Sequence, residues 1–248
     1  MKTTTIAGLM IGVCAVAASA DAQTAWTDRA YINAGATYRA TSTTFSDIVH
    51  PTDFLEAADV TTVYPVKAAP GFDVGGGVRI WRNLAIGVAV ARTSKAGTGS
   101  VSAQIPHPLY FNQPRSVSGD APALAREETG IHLQALWMVP MGPRWQLSLF
   151  GGPSFYNVTQ DLVSDVTFTQ AYPFDTAAYT GAVTHSSTRS AAGFNAGADV
   201  TRMLAAHVGL GASVSFSQAR VSLPSTGSDI VKVDAGGAHV GGGIRFRF

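Results

Sequence analysis

The sequence predicts an all-β protein: one eight-stranded antiparallel up-and-down transmembrane β-barrel, with short turns at one end and long loops at the other. Three observations predict it. Successive segments alternate apolar and small or polar residues with period two, the spacing at which side chains take opposite faces of a strand. Charged residues are 13% of the chain, about half of the roughly 25% usual in soluble domains. After the N-terminus, no apolar run reaches the length of a membrane-spanning helix. Low charge without such a helix fits a barrel, in which only alternate residues face lipid.

The chain begins with what reads as a secretory signal, residues 1–22. Lys2 supplies the positive charge and Ile6 to Ala18 the apolar core. Ala20-Asp21-Ala22 places cleavage before Gln23, with Ala18-Ser19-Ala20 as the other small-residue site. Residues 23–248 are then one barrel domain, since no repeat of solenoid or propeller period is present. The only cysteine, Cys14, lies in the signal, and Val13 before it is not the small residue a lipoprotein needs. A mature domain without thiols excludes disulfides and thiol catalysis. A net charge of +1 gives no footing for nucleic acid.

In chain order, Arg29 to Ala40 sets Ile32, Ala34, Ala36 and Tyr38 against Tyr31, Asn33, Gly35, Thr37 and Arg39. Residues 41–70 read as a loop, because His50-Pro51, Asp53, Glu56, Asp59 and Pro65 break the period. Gly71 to Trp81 puts Phe72, Val74, Val78 and Ile80 outward, with Asp73, Gly75, Gly77 and Arg79 inward. Arg82-Asn83 turns tightly into a third strand, Leu84, Ile86, Val88 and Val90 against Ala85, Gly87, Ala89 and Ala91.

Residues 95–128 read as a second long loop, broken by Pro106, Pro108, Pro114 and Pro122, in which 100–105 still alternates. Gly130 to Val139 faces Ile131, Leu133, Ala135 and Trp137 outward, with His132 and Gln134 inward. A turn at 140–143 leads to Trp145, Leu147 and Leu149, and residues 160–187 read as a third long connection. Ala192 to Thr201 sets Phe194, Ala196, Ala198 and Val200 against Gly193, Asn195, Gly197 and Asp199. His207 to Val221 sets Val208, Leu210, Val214 and Phe216 against Gly209, Gly211, Ser213, Ser215 and Ser217. The closing strand, Ala238 to Phe248, carries Val240, Gly242, Ile244, Phe246 and Phe248 opposite His239, Gly241, Gly243, Arg245 and Arg247. A soluble calycin-like barrel would need large apolar residues inside and a Lys/Glu face outside, and no strand here has that face.

An even strand count, alternating long and short connections, and a last strand ending in Phe together resemble the small bacterial outer-membrane β-barrels of the OmpA, OmpX and OmpW type. The resemblance covers residues 28–248. It implies short turns in the periplasm, long loops outside the cell, and residence in the outer membrane of a Gram-negative-type bacterium. It also implies contact with outer-membrane lipid and lipopolysaccharide. Phe248 and Phe246 would then be part of the signal read by the barrel-assembly machinery. Trp137, Trp145, Tyr38, Phe216 and Phe248 would supply aromatic girdles at the interfaces.

The inward faces collect a polar lumen cluster: Arg39, Asp73, Arg79, His132, Gln134, Asn195, Asp199, Arg245 and Arg247. Buried charges must pair, and a barrel of eight strands has room for little beyond its own side chains. The cluster is therefore expected to be a structural plug, with Arg39 and Arg79 on the aspartates and Arg245 and Arg247 near the periplasmic mouth. Glu127-Glu128 reads as a solvated rim.

No enzyme or cofactor is implied. Gly152-Pro153-Ser154-Phe155-Tyr156 lacks the last glycine of a nucleophile elbow. His185-Ser186-Ser187 resembles the His-x-Ser pair of an outer-membrane lipid A deacylase, but Thr188 stands where that family has Asn. The six histidines show no metal-ligand spacing. Loop aromatics such as Phe54, Tyr64, Tyr110, Phe111, Tyr172 and Phe174 offer a contact surface. Two classes of function follow: a structural or recognition barrel, or an OmpW-like conduit for small apolar solutes. A lipid-modifying enzyme is the remote third.

Overall fold

The computed structural model describes residues 27–226 and 230–248. The expected signal segment lies outside the described residues. The strands are β1 (Ala30–Arg39), β2 (Thr43–Val49), β3 (Thr52–Asp53), β4 (Glu56–Ala57), β5 (Asp59–Val66), β6 (Ala69–Trp81), β7 (Leu84–Ile105), β8 (Arg115–Pro140), β9 (Trp145–Gln170), β10 (Ala177–Met203), β11 (Val208–Pro224) and β12 (Ile230–Arg247).

Eight of them, β1 and β6–β12, close a ring in which every neighbour is antiparallel. Closure joins first to last, from Tyr31↔Arg247 to Arg39↔His239. Arg82, at φ 41°, makes the tight turn between β6 and β7. The inward glycines leave room for large side chains. A Cβ on Gly87 would stand 2.1 Å from the Tyr31 hydroxyl, and one on Gly211 2.6 Å from the Arg245 Nε.

The expected facings hold in every barrel strand. Ile32, Phe72, Val88, Leu133, Phe194, Leu210 and Ile244 all lie exposed on the outside. The strands, however, run far past the roughly 9–11 residues that cross a bilayer; β8 has 26 and β10 has 27. Beyond the lipid, side-chain parity continues and hydropathy reverses. Along β11, Val208, Leu210, Val214 and Phe216 face out, followed on the same face by Gln218, Arg220 and Ser222. The opposite face passes from Ser213, Ser215 and Ser217 to buried Ala219, Val221 and Leu223. β7 does the same, from Ile86, Val88 and Val90 outside to Val101, Ala103 and Ile105 inside. These inward residues, with Val60, Val117, Val158, Leu162 and Val233, form an apolar core within the outer half of the barrel. Its burial is driven as in a soluble protein, at about 25 cal/mol per Å² of apolar surface.

The three connections expected as loops are therefore mostly strand. Residues 41–70 hold β2 to β5, 95–128 hold the upper parts of β7 and β8, and 160–187 those of β9 and β10. The prolines that break the period sit where the ladder is itself broken. Pro122 and Ala123 (φ 60°) occupy the bulge opposite Gly97–Gly99. Pro65 lies where β5 has already left β7. Above the membrane β5 takes the place of β6 beside β7, and β2 pairs with β5.

Candidate functional site

The interior divides into levels. At the periplasmic end an open vestibule of about 520 Å³ is lined by Asp28, Arg144, Gln146, Leu204 and Arg247, among others. Arg247 also lines the lumen cavity above it, of about 110 Å³. It is buried, and its Nε and Nη1 have no hydrogen-bond partner among the described residues.

Within the lumen Arg245 clasps Asp199, its Nη2 2.6 Å and its Nε 3.1 Å from the same carboxylate oxygen. Thr201 donates to the other oxygen at 2.6 Å. Asn195 donates to Ser154 at 2.9 Å and accepts from Gln134 at 3.1 Å. His132 Nδ1 lies 2.8 Å from the Ser154 Oγ, and the Tyr156 hydroxyl donates to Ser217 at 2.5 Å. Asp73 lines the cavity and makes no ion pair among the described residues.

The ceiling of the lumen is an ion cluster that the sequence reading missed. Glu128, only 4% exposed, accepts from Arg39 and from Arg126 Nε, the latter at 2.7 Å. Its second oxygen accepts from the Gly236 amide at 3.0 Å. Arg126 also donates to the Asp234 carbonyl at 2.8 Å, and Arg39 to the Lys67 carbonyl at 3.1 Å. Each guanidinium is thus held by the carboxylate and by a backbone oxygen, the condition under which a buried charge is tolerated.

Two expectations change accordingly. Arg39 pairs with Glu128 rather than an aspartate, and Asp199 goes to Arg245. Glu127 does lie on the outer rim, against Arg92 at 2.8 Å, but Glu128 is interior. Arg79 faces inward on β6, half-buried. Of the two arginines expected at the periplasmic mouth, Arg247 lines the vestibule there, whereas Arg245 lies in the lumen, drawn to Asp199.

His132 and Ser154 have the separation of a base and a nucleophile. Ser154, however, is fully buried and its oxygen is held from two sides, so no substrate reaches it. His185 and Ser187 share an inward face, and the Ser187 hydroxyl donates to the Pro224 carbonyl at 2.8 Å. Among the described residues no group of His, Cys, Asp and Glu could hold a metal ion.

At the outer end three tips meet. The β3–β4 hairpin turns through Phe54 and Leu55, at φ 49° and 70°. It is tied to the next loop by the Asn112 amide, which donates to Glu56 at 3.0 Å. Arg115 donates to Pro106 at 2.7 Å and to Phe174 at 3.0 Å, joining the second and third tips. Phe54, Tyr110, Phe111 and Tyr172 are exposed there, Tyr172 to 81%, together with Leu55 and Leu109. Phe174 is half-buried against Tyr172. Tyr64 is not part of this surface. It is 3% exposed in the apolar core, stacked on Phe45 at 4.7 Å, with its hydroxyl accepting from the Val163 amide.

A closed antiparallel ring with an apolar outer band and a polar, paired lumen defines a membrane-spanning β-barrel. Residues 8–246 match the outer membrane protein beta-barrel domain family, and the chain belongs to that family, whose place is the outer membrane of Gram-negative bacteria. Three solved structures are similar in outline. Neisserial surface protein A shares 14% identity, covering 88% of this chain and 97% of its own, with a TM-score of 0.45. OprG from Pseudomonas aeruginosa shares 12%, covering 90% and 96%, at 0.47. The outer membrane protease OmpT from Escherichia coli shares 9%, covering 88% and 97%, at 0.46. These likenesses carry no inference about activity. No curated protein sequence matches.

Proposed function

We propose that this protein is a closed, non-conducting outer-membrane barrel that holds a rigid recognition surface outside the cell. The observation that carries the reading is the stacking of two seals. The Arg39–Glu128–Arg126 cluster roofs the lumen, and the apolar core fills the barrel above it. Cavities of about 110 and 40 Å³ lie within the walls beside that cluster. An interior packed this way supports presentation of the joined tips, where Phe54, Tyr110, Phe111 and Tyr172 stand exposed. Aromatic residues at such a tip are of the kind that interfaces use.

Planar-bilayer recording of refolded protein tests this. No steady single-channel current is expected, and reproducible steady currents would overturn it. The conduit reading finds one supporting feature, a gap in the wall, but that gap is lined by cations, which disfavour apolar cargo.

A further inference from the structure

The exchange of β6 for β5 beside β7 leaves a notch in the wall. β6 ends its pairing with β7 at Gly71↔Thr93, and β5 begins only at Val63↔Ser100. Between these points residues 94–99 face residues 64–70 without a ladder. Gly97 lines this gap, and a methyl group built on it would meet only the Pro65 carbonyl, 3.6 Å away, so there is free space beside it. Behind it is a cavity of about 40 Å³. That admits about three water-sized groups, enough for a phosphate and too little for an acyl chain.

Charge decides what fits. Arg39, Lys67, Lys95 and Arg126 line the cavity with a single carboxylate, Glu128. Glu128 is already shared by the two guanidiniums. Lys67 and Lys95 are in no ion pair among the described residues, and Lys95 donates only to the Ala68 carbonyl at 2.5 Å. The notch also lies at a defined depth. Just below it the outer wall carries Val74, Val90 and Ile131, and at its lower edge Phe72, Arg92 and Glu127. This is where a bilayer holds its head groups.

We infer that the notch binds the acidic head group of an outer-leaflet lipid. A phosphate ester sits against the Lys67 and Lys95 ammonium groups, and its acyl chains lie outside on the Phe72–Val90 wall. Arg39 and Arg126 add positive field from behind. Ammonium-to-phosphate hydrogen bonds are charge-assisted, and so are the stronger kind. The site is independent of whether the lumen conducts.

The test uses refolded protein in neutral maltoside micelles, titrated with short-chain phosphatidic acid, phosphatidylcholine of the same chain, and inorganic phosphate. Wild type is compared with Lys67→Gln/Lys95→Gln and with Gly97→Val, which keeps every charge and takes up the space beside Pro65. Wild type is expected to bind phosphatidic acid at least about tenfold tighter than phosphatidylcholine, and both variants to lose that preference. The heat-modifiable shift on gels reports that each variant is folded. Should the double variant fail to refold, Lys67→Gln alone carries the comparison. An unchanged preference in the folded variants overturns the proposal. So does inorganic phosphate binding as tightly as the lipid, which would make the ligand a free ion.

Discussion

Arg39 and Glu128, 89 residues apart in sequence, meet inside the barrel where its polar lumen gives way to its apolar core. The pair joins the first barrel strand to the fourth, and Arg126 completes it. Replacing Glu128 with Gln removes the only carboxylate between two buried guanidiniums. A loss of about 3–5 kcal/mol is expected, read from urea unfolding of refolded protein. A loss within error of zero would show that the cluster is not desolvated.

The two lumen aspartates should differ. Asp199→Asn strands Arg245, with an expected cost of about 3–5 kcal/mol. Asp73→Asn breaks no ion pair and should cost less than half as much. The same unfolding experiment checks the ranking, and a larger effect at Asp73 would place Arg245 on the wrong partner.

Reversal of hydropathy along one strand face gives a paired test. Leu210→Arg puts a charge into lipid at about 2–4 kcal/mol. Gln218→Arg, on the same face of β11 beyond the reversal, should fall within about 0.5 kcal/mol of wild type. Equal costs measured in the same bilayers would move the lipid boundary.

Asp53, in the outer hairpin, has its carboxyl raised above the ordinary range by burial and then by the charge of Asp165. Its folded pKa therefore exceeds its unfolded one. The stability it contributes is full in acid and is lost as pH rises through the folded value. Asp53→Asn keeps the side chain neutral throughout. Its melting temperature should match wild type at about pH 3 and exceed it at about pH 7. The reverse order in the two buffers would sink the assignment.

Phe248 ends the chain beside the closing seam, its amide donating to Ala30 at 2.9 Å and its ring stacked on His207 at 6.2 Å. Phe248→Asp is expected to reduce insertion and leave chain in the periplasm, measured by fractionation against wild type in the same cells. A normal outer-membrane yield would remove Phe248 from the assembly signal.

The membrane half was legible because one rule governs it. With lipid outside and a narrow lumen inside, period-two alternation reads directly as facing. Of the outer half, residues 100–105 and the end of 207–221 showed their alternation, but the rest was not legible as strand, because Pro106, Pro114 and Pro122 cluster at its turns and bulge and its faces exchange hydropathy. Glu128 could have been found by parity, since it shares a face with His132 and Gln134 on β8. Its neighbour Glu127 hid it, two adjacent acids reading together as surface. Tyr64 was misplaced for a related reason. Beside Pro65 and two threonines its segment lacks a clean alternation of hydropathy, and the pairing of β5 with β2, Tyr64 opposite Phe45, sets its ring into the core.

Val88 and Val101 lie on one strand and on opposite faces, the first bare and the second enclosed. In water both would seek cover, yet a sheet sheltering one side leaves the other wet. A lone sheet in a single solvent cannot shelter both. A slip of one residue in register would misplace both halves together. The reversal thus fits the chain to its destination, a boundary between hydrocarbon and water.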